Sequence, residues 1–387
     1  MKFSAAVWDH ADGVRVEEVE LLERHPRDVL VRIEASNVAS AEASALLGPA
    51  PAPGPADPPP DLPPGLAVPP LPLHIPGHSA VGVVEEVGPS AEGVKVGDRV
   101  LMTGNNNCGV CHFCQRGRYD QCAAMALFGP ATARTANGVD VHPLGYVGSL
   151  AEWAVVLDNL LVPVRTDLPA DQLSLIGNPV CTGVGAALRT ARIEPGSVVA
   201  VVGCGPVGLS YIQAARLALA DQIIAIEPLA HRREAALRMG ATTVIDPAET
   251  DPVEAVCELS GDAGGVNQGR GADYVFDAAN DASATEQAWA MTRTAGDLTL
   301  AGLDSRPGAR VSFPMVQFSN FGKTIHSCQM GSLLMRRDLP WMVRLAERGQ
   351  LDLASLAERT YPLKAVGEAL RDVAEYNVLG ATVDPRL

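Results

Sequence analysis

The sequence predicts a two-domain α/β protein in which a doubly wound parallel sheet is joined to a β-barrel domain. Three observations carry that expectation. Short β-rich runs fill the first part of the chain. From about Val198, apolar strands alternate with helices. A glycine-rich turn, Gly203-Cys204-Gly205-Pro206-Val207-Gly208, stands where the first of those strands passes into the first helix. Strand–helix alternation implies a parallel sheet covered by crossover helices. A length of 387 residues suits two domains that each bury a core of their own.

In the first part, residues 29–35, 80–87, 99–102 and 150–157 read as strands set off by Gly, Pro and Asn turns, and their grouping predicts an antiparallel or barrel-like domain. The second region is expected to run strand 198–202, helix 207–220, strand 223–226 and helix 229–239, with Gly240 placed to end that helix. Further strands are expected at 243–245, 274–276 and 298–301, with a helix at 282–294 between the last two. The segment 48–76 stands apart. Its Pro-Ala-Pro-Ala-Pro-Gly-Pro and Asp-Pro-Pro-Pro-Asp-Leu-Pro-Pro-Gly stretches exclude helix and central strand, because proline lacks the amide donor and fixes φ. It reads either as a surface loop or as a wall over the active site.

Composition narrows the function classes. A formal net charge of -15 with no basic run argues against a nucleic-acid partner. No run approaches the roughly 18 unbroken apolar residues of a membrane span, so no membrane partner is expected. The N-terminus meets charge before an export-type apolar stretch develops, and a cytoplasmic location is the expectation. Eight cysteines in such a chain do not indicate a disulfide scaffold, so their spacing carries the information.

The glycine turn follows the strand Val198-Val199-Ala200-Val201-Val202 and opens a helix. In that setting Gly203 permits the tight turn, Gly205 lets a pyrophosphate approach the backbone, and Gly208 lets helix and strand pack closely. Pro206 and Val207 start the helix whose free amides and positive dipole end suit phosphate. Glu227 ends the next strand, about 20 residues beyond the last glycine, where its carboxylate can accept hydrogen bonds from ribose hydroxyls. This is a Rossmann dinucleotide fingerprint, and the carboxylate favours NAD(H) over NADP. His231, Arg232 and Arg233 lie just downstream and could soften that choice. Thr182, Ala278, Ala301 and Gly302 complete the expected cofactor-binding set.

Cys108, Cys111 and Cys114, with Cys122 seven intervening residues later, place four thiols in one short loop. Closed structural zinc sites take four thiolates in this way and leave no position for a substrate. His112 lies inside the loop, but four sulfurs already fill a tetrahedral shell.

These motifs, in this order and spacing, are similar to those of the zinc-containing alcohol dehydrogenase family of the medium-chain dehydrogenase/reductase superfamily. The resemblance covers essentially the whole chain. Pro76-Gly77-His78-Ser79-Ala80-Val81-Gly82 resembles the family's Gly-His-Glu segment, and Gly97-Asp98-Arg99-Val100 its Gly-Asp-Arg-Val turn. Met330-Gly331-Ser332, followed by Arg336-Arg337-Asp338-Leu339-Pro340, resembles members near the glutathione- or mycothiol-linked formaldehyde dehydrogenases and the nicotinoprotein alcohol dehydrogenases. The resemblance implies a GroES-like barrel domain from both chain ends, residues 1–178 and 329–387, with its metal lobe at about 104–123. Residues 179–328 are then the Rossmann domain. It also implies a small-molecule substrate and a homodimer or homotetramer.

In the family the catalytic zinc is held by a cysteine of the first domain, the histidine of Gly-His-Glu, and a cysteine just before the Rossmann domain. Here Ala39 stands at the first position and Asn178 at the third, so only His78 matches. No cysteine precedes Cys108, and Cys181 lies three residues past Asn178. Ser79 replaces the glutamate after the histidine, while Ala41 and Ser44 replace the proton-relay residues. One structural Zn2+ is therefore expected, and a catalytic Zn2+ is not. Without a Lewis acid on the substrate oxygen, hydride transfer needs an electrophile that is already activated, or side chains that supply the proton or stabilise the oxyanion. The expected function is hydride transfer to an activated C=N, C=C or C=O bond, with His78, Glu42, Ser40 and Ser79 as candidate proton donors or orienters. Two other readings stay open: a zinc-dependent alcohol or aldehyde dehydrogenase with substitute ligands from Glu42, His78 and Cys181, and a non-catalytic dinucleotide-binding protein.

Overall fold

A computed structural model of the chain describes residues 1–9, 13–47, 73–261, 271–302 and 309–387. Most of the proline-rich segment, 48–72, lies outside the described residues. The chain forms two compact units: Met1–Asn178 with Leu334–Glu347 and Leu356–Leu387, and Pro179–Leu333 with Arg348–Ser355. The return to the first unit thus falls at Leu334 rather than at the expected 329, and residues 348–355 stay with the second unit.

The first unit contains a closed barrel and a seven-stranded sheet. Lys2–Asp9, Gly13–Leu21, Ala133–Thr135, Asp140–Pro143 and His74–Ile75 close the barrel. The sheet runs in the order Leu161–Pro163, Arg99–Thr103, Ser79–Val87, Asp28–Val38, Ala381–Asp384 and Arg359–Pro362, and Trp153–Leu157 also pairs with Asp28–Val38. Asp28–Val38 is buried along nearly its whole length, as its Val, Leu and Ile content requires of a strand covered on both faces. Val29, Val31, Ile33, Val84, Val100 and Met102 form the core beneath it. The two strands contributed by the chain's end were not legible in the sequence, because each is only four residues long.

The chain re-enters this unit through the helix Met335–Glu347. Arg336 fixes it there. Its guanidinium donates to the carbonyls of Asp158 at 2.7 Å and of Leu161 and Glu92 at 3.3 Å each.

The second unit is built on six parallel strands in the order Thr243–Ile245, Gln222–Ile226, Val198–Val202, Ala272–Asp277, Thr292–Leu300 and Thr324–Ser327. Numbered along the chain this is 3-2-1-4-5-6, the order of a dinucleotide-binding sheet, whose crevice lies beyond the carboxyl ends of the strands. Its central strand is buried from Val199 to Val202, which explains a run of apolar residues without alternation. The expected helix at 282–294 stops at Met291, and the next strand starts at Thr292 rather than 298. Thr292 and Thr294 are β-branched, and the first of them already pairs with Ala272. Among the described residues, no helix is long and apolar enough to cross a membrane.

Backbone touches backbone where the helix Val180–Gly185 meets the turn at Met330–Ser332. A Cβ on Gly331 would lie 2.2 Å from the Cys181 carbonyl oxygen, and one on Gly185 would lie 2.5 Å from the Gly331 oxygen. Gly331 also has φ +78°, whereas Gly349, with φ +67°, has nothing within 4 Å of its would-be Cβ. The two positions separate packing from conformation. Gly331→Ala is expected to destabilise the protein by roughly 2–4 kcal/mol, from left-handed strain plus steric conflict, and Gly349→Ala by only about 1 kcal/mol. Calorimetric unfolding of the two variants checks this, and equal losses would contradict it.

Candidate active site and cofactor turn

The four-cysteine loop lies between the strands Arg99–Thr103 and Ala133–Thr135. The Sγ atoms of Cys108, Cys111, Cys114 and Cys122 all fall within 4.8 Å of one another. A tetrahedral S4 zinc site needs sulfurs roughly 3.8 Å apart, so this donor set fits one. Backbone amides already point at the sulfurs: Cys108 N–H donates to Cys122 Sγ and Cys114 N–H to Cys111 Sγ, each at 3.4 Å. The backbone bond from Cys114 draws the Cys111 thiol down to about 6, while burial pushes Cys114 up to about 12. Four thiolates this close repel one another, and only a cation lets all four ionise together. His112 turns its ring edge-on to Phe113 instead.

The second cluster is assembled by two neighbouring strands. Asp28–Val38 runs into the helix Ser40–Leu47, which carries Glu42, and His78 precedes Ser79–Val87, its antiparallel partner. Glu42 is buried; its Oε1 accepts the Gly77 N–H and its Oε2 lies 3.2 Å from His78 Nδ1. On the other side of the ring, Asn178 Nδ2 lies 2.6 Å from His78 Nε2. A carboxylate accepts, so this arrangement fits the tautomer with hydrogen on Nδ1 and the Nε2 lone pair facing the Asn178 amide. Gly104 and Gly145 pack against the base of the His78 side chain; a Cβ on either would lie 3.2 Å or 2.9 Å from His78 Cβ.

The remaining expected catalytic residues sit differently. Ser79 Oγ donates to the Ser174 carbonyl at 2.7 Å and is fully engaged in the core. Ser40 opens the Glu42 helix half-buried, and no hydrogen bond joins it to His78 among the described residues. Ala41 and Ser44 are exposed. Cys181, in the second unit, is completely buried, and burial pushes its thiol up to about 12, so it stays neutral. Among the described residues, the four cysteines alone bring three or more His, Cys, Asp or Glu ligand atoms together. Asn178 was noticed in the sequence only as a missing ligand. Its bond to a histidine 100 positions away has no local signal.

In the second unit the glycine turn has the form its spacing predicts. Gly203 has φ +85°, and a Cβ there would lie 3.1 Å from the backbone of Ala278. A Cβ on Gly208 would lie 1.8 Å from the Gly203 oxygen. Gly205 caps the helix Pro206–Leu217, with Pro206 in the first turn and Val207 following. Glu227 is buried against the turn: its Oε2 accepts the Cys204 N–H at 2.7 Å and its Oε1 the Leu229 N–H at 3.0 Å. Arg232 is buried with its guanidinium 3.7 Å from a Cβ built on Gly205, whereas Arg233 pairs with Asp246 at 2.8 Å. Ala278 N–H donates to Val202 O at 2.8 Å, and the N–H groups of Ala301 and Gly302 donate to Asp277 O at 3.2 and 2.9 Å. These residues therefore gather at the carboxyl ends of three adjacent strands. Thr182 lies buried in the helix Val180–Gly185.

Asp277 was missed. Its side chain accepts the Ala279 N–H at 2.9 Å and the Thr285 hydroxyl at 2.5 Å, and burial raises its pKa. A carboxylate closing the apolar run Tyr274-Val275-Phe276 was the available signal.

Comparison with known proteins agrees with both units. Residues 25–166 match the family described as alcohol dehydrogenase GroES-like domain, and residues 206–348 the one described as zinc-binding dehydrogenase. The chain is 30% identical to S-(hydroxymethyl)glutathione dehydrogenase of Synechocystis over 380 residues, 95% of this chain and 96% of that protein. It is 26% identical to alcohol dehydrogenase B of Mycobacterium tuberculosis over 378 residues, 95% and 94% of the two chains. A solved alcohol dehydrogenase zinc-binding domain protein from Burkholderia ambifaria superposes with a TM-score of 0.86 at 26% identity, covering 99% of each chain. Barrel, dinucleotide sheet, glycine turn and four-cysteine loop thus converge on one lineage: the chain belongs to the zinc-containing alcohol dehydrogenase family of the medium-chain dehydrogenase/reductase superfamily and is an NAD(P)-dependent dehydrogenase of that type.

Proposed function

We propose that this dehydrogenase transfers hydride between NAD(H) and an activated C=N, C=C or C=O bond of a small-molecule substrate without a catalytic zinc. The observation that carries the reading is the hydrogen-bonded state of His78. Both ring nitrogens have partners, Glu42 at 3.2 Å and Asn178 at 2.6 Å, so the lone pair a metal would need is already taken by an amide. With Ala39 and Asn178 at the other two positions, the residues present do not fit a catalytic zinc.

When bound, the reduced dinucleotide supplies the hydride. The chain's own contribution is then to hold the substrate and manage one proton, for which His78, braced by buried Glu42, is the suited group. The four cysteines would hold a single zinc in a closed, structural role. Buried Glu227 at the end of the second strand favours NAD(H), since its charge opposes a 2′-phosphate, while Arg232 beside Gly205 is suited to pyrophosphate. A homodimer or homotetramer in the cytoplasm completes the reading. The exposed apolar side chains of Met315, Val316, Phe318 and Phe321, close in sequence to the edge strand Thr324–Ser327, support self-association.

Metal analysis tests the central claim. About one zinc per chain is expected, with most of it lost in Cys111→Ser, and two per chain would establish the zinc-dependent alternative with substitute ligands. In kinetics with NADH and a panel of iminium, enal and aldehyde substrates, His78→Ala and Glu42→Gln should each lower kcat about 100-fold or more; unchanged turnover in both would remove these residues from the chemistry. For the cofactor, NADH should bind more tightly than NADPH in fluorescence titrations. Glu227→Gln should narrow the gap by about tenfold, or about 1.4 kcal/mol. Tighter binding of NADPH by the unaltered protein would reverse the assignment.

A further inference from the structure

We propose that Asp277 is a positioning residue for the cofactor: it locks the turns that follow Ala272–Asp277 and Thr292–Leu300 against the glycine turn, and so shapes the nicotinamide side of the dinucleotide crevice without touching the ligand. This role follows from dinucleotide binding alone and stands whether or not the zinc-free reading holds.

Asp277 closes an apolar strand, and only 1% of its surface is exposed. Its side chain makes an Asx-type turn, Oδ1 accepting the Ala279 N–H two residues on at 2.9 Å, while Oδ2 accepts the Thr285 hydroxyl at 2.5 Å. Its backbone carbonyl accepts the N–H groups of Ala301 at 3.2 Å and Gly302 at 2.9 Å. One residue thus gathers donors from the turn after its own strand, the turn after the neighbouring strand, and the helix Ala282–Met291. With both carboxylate oxygens engaged and buried, Asp277 acts on a ligand only through those turns.

The turns themselves meet backbone to backbone. A Cβ on Gly203 would lie 3.1 Å from the Ala278 carbonyl and from Ala279 Cα, and one on Gly302 would lie 3.1 Å from Asn280 N, 3.3 Å from Ala279 N and 3.4 Å from Asp277 Oδ1. The segment between them is pinned at both ends. Asp277 holds it on one side, and on the other Asp281 caps the next helix by accepting the Ser283 and Ala284 N–H groups at 2.9 and 3.1 Å. Between the two, Asn280 is exposed and left-handed at φ +55°, a conformation asparagine tolerates but does not require. The flanking bonds select it.

Sheet order decides which part of the ligand feels this. Gln222–Ile226, followed by Glu227, flanks the central strand Val198–Val202 on one side, and Ala272–Asp277 flanks it on the other. A dinucleotide lies across the carboxyl ends of such a sheet with one mononucleotide half on each side of the first strand. Glu227 stands on the adenosine side, so the turns that Asp277 locks face the nicotinamide half. An asparagine at 277 would keep them in place: its Oδ1 still accepts the Ala279 N–H, and its Nδ2 donates to Thr285 Oγ1, whose own hydrogen has the Asp281 carbonyl at 3.2 Å. An alanine offers neither bond.

The test is fluorescence titration of the zinc-loaded protein with NADH and NADPH, with ADP as the probe of the adenosine half. Asp277→Ala should weaken whichever dinucleotide the unaltered protein prefers by about tenfold or more and change ADP binding by less than about twofold, whereas Asp277→Asn should stay within about threefold for both. A merely structural residue would weaken ADP and dinucleotide alike. Equal weakening of the two, an unchanged dinucleotide affinity in Asp277→Ala, or an Asp277→Asn variant as weak as Asp277→Ala overturns the proposal. Should Asp277→Ala not fold, Thr285→Val, which removes one carboxylate partner and leaves the Ala279 bond, decides: dinucleotide affinity should fall about threefold with ADP unchanged, and no fall overturns the proposal. A second zinc per chain would remove the zinc-free reading and leave this role standing, whereas a protein that binds neither NADH nor NADPH would remove both.

Discussion

The pairing of Asp28–Val38 with Ser79–Val87 is the constraint on which the first unit depends. Its register sets Ser36 opposite Ala80, so that the chain leaving one strand and the chain entering the other run side by side. Glu42 comes from the first and His78 from the second, and each meets the other because of that register. A slip of one residue would turn every side chain of either strand to the opposite face. The same long strand also binds Trp153–Leu157 and Ala381–Asp384, so three separate parts of the chain hold it in place. The precision of the Glu42–His78 contact is thus inherited from the most heavily paired strand of the unit.

Much of this was legible in the sequence where the signal is local. The strand Val198–Val202, the glycine turn and the four cysteines could be read because each is a contiguous motif whose chemistry needs that spacing. The sequence also located the family's three metal positions, altered at Ala39 and Asn178 and kept at His78. What they had become was not legible: the Asn178 bond to His78 spans 100 residues, and an asparagine in a loop gives no hint of its partner. Short strands such as Arg359–Pro362 and Thr324–Ser327 escaped because four residues carry too little periodicity. Ser79 shows the converse. A hydroxyl beside the key histidine suggested chemistry, yet its strand position sends it to the Ser174 carbonyl.

Four polar sites follow one electrostatic rule in different ways. Glu227 and Asp277 are buried carboxylates at strand ends, and each is kept in place by backbone N–H groups of the turn it faces. Glu42 has a backbone donor on one oxygen and an imidazole on the other. Backbone amides also reach sulfurs of the cysteine loop, but four thiolates so close together still need a cation to balance their charge. Burying a polar group is tolerable when its partners are built in beforehand, and the first three sites have them within the protein.

Arg336 gives the chain's return to the first unit a particular character. Its acceptors are the backbone carbonyls of Asp158, Leu161 and Glu92, which do not titrate. The three Arg336 bonds therefore do not depend on the protonation of any carboxylate, unlike the Leu334 N–H bond to Asp338 at the start of the same helix. They are exposed instead to a chemical mimic: free guanidinium ion competes for the same carbonyls, so this re-entry point is where a guanidinium salt and urea should act on the molecule most differently.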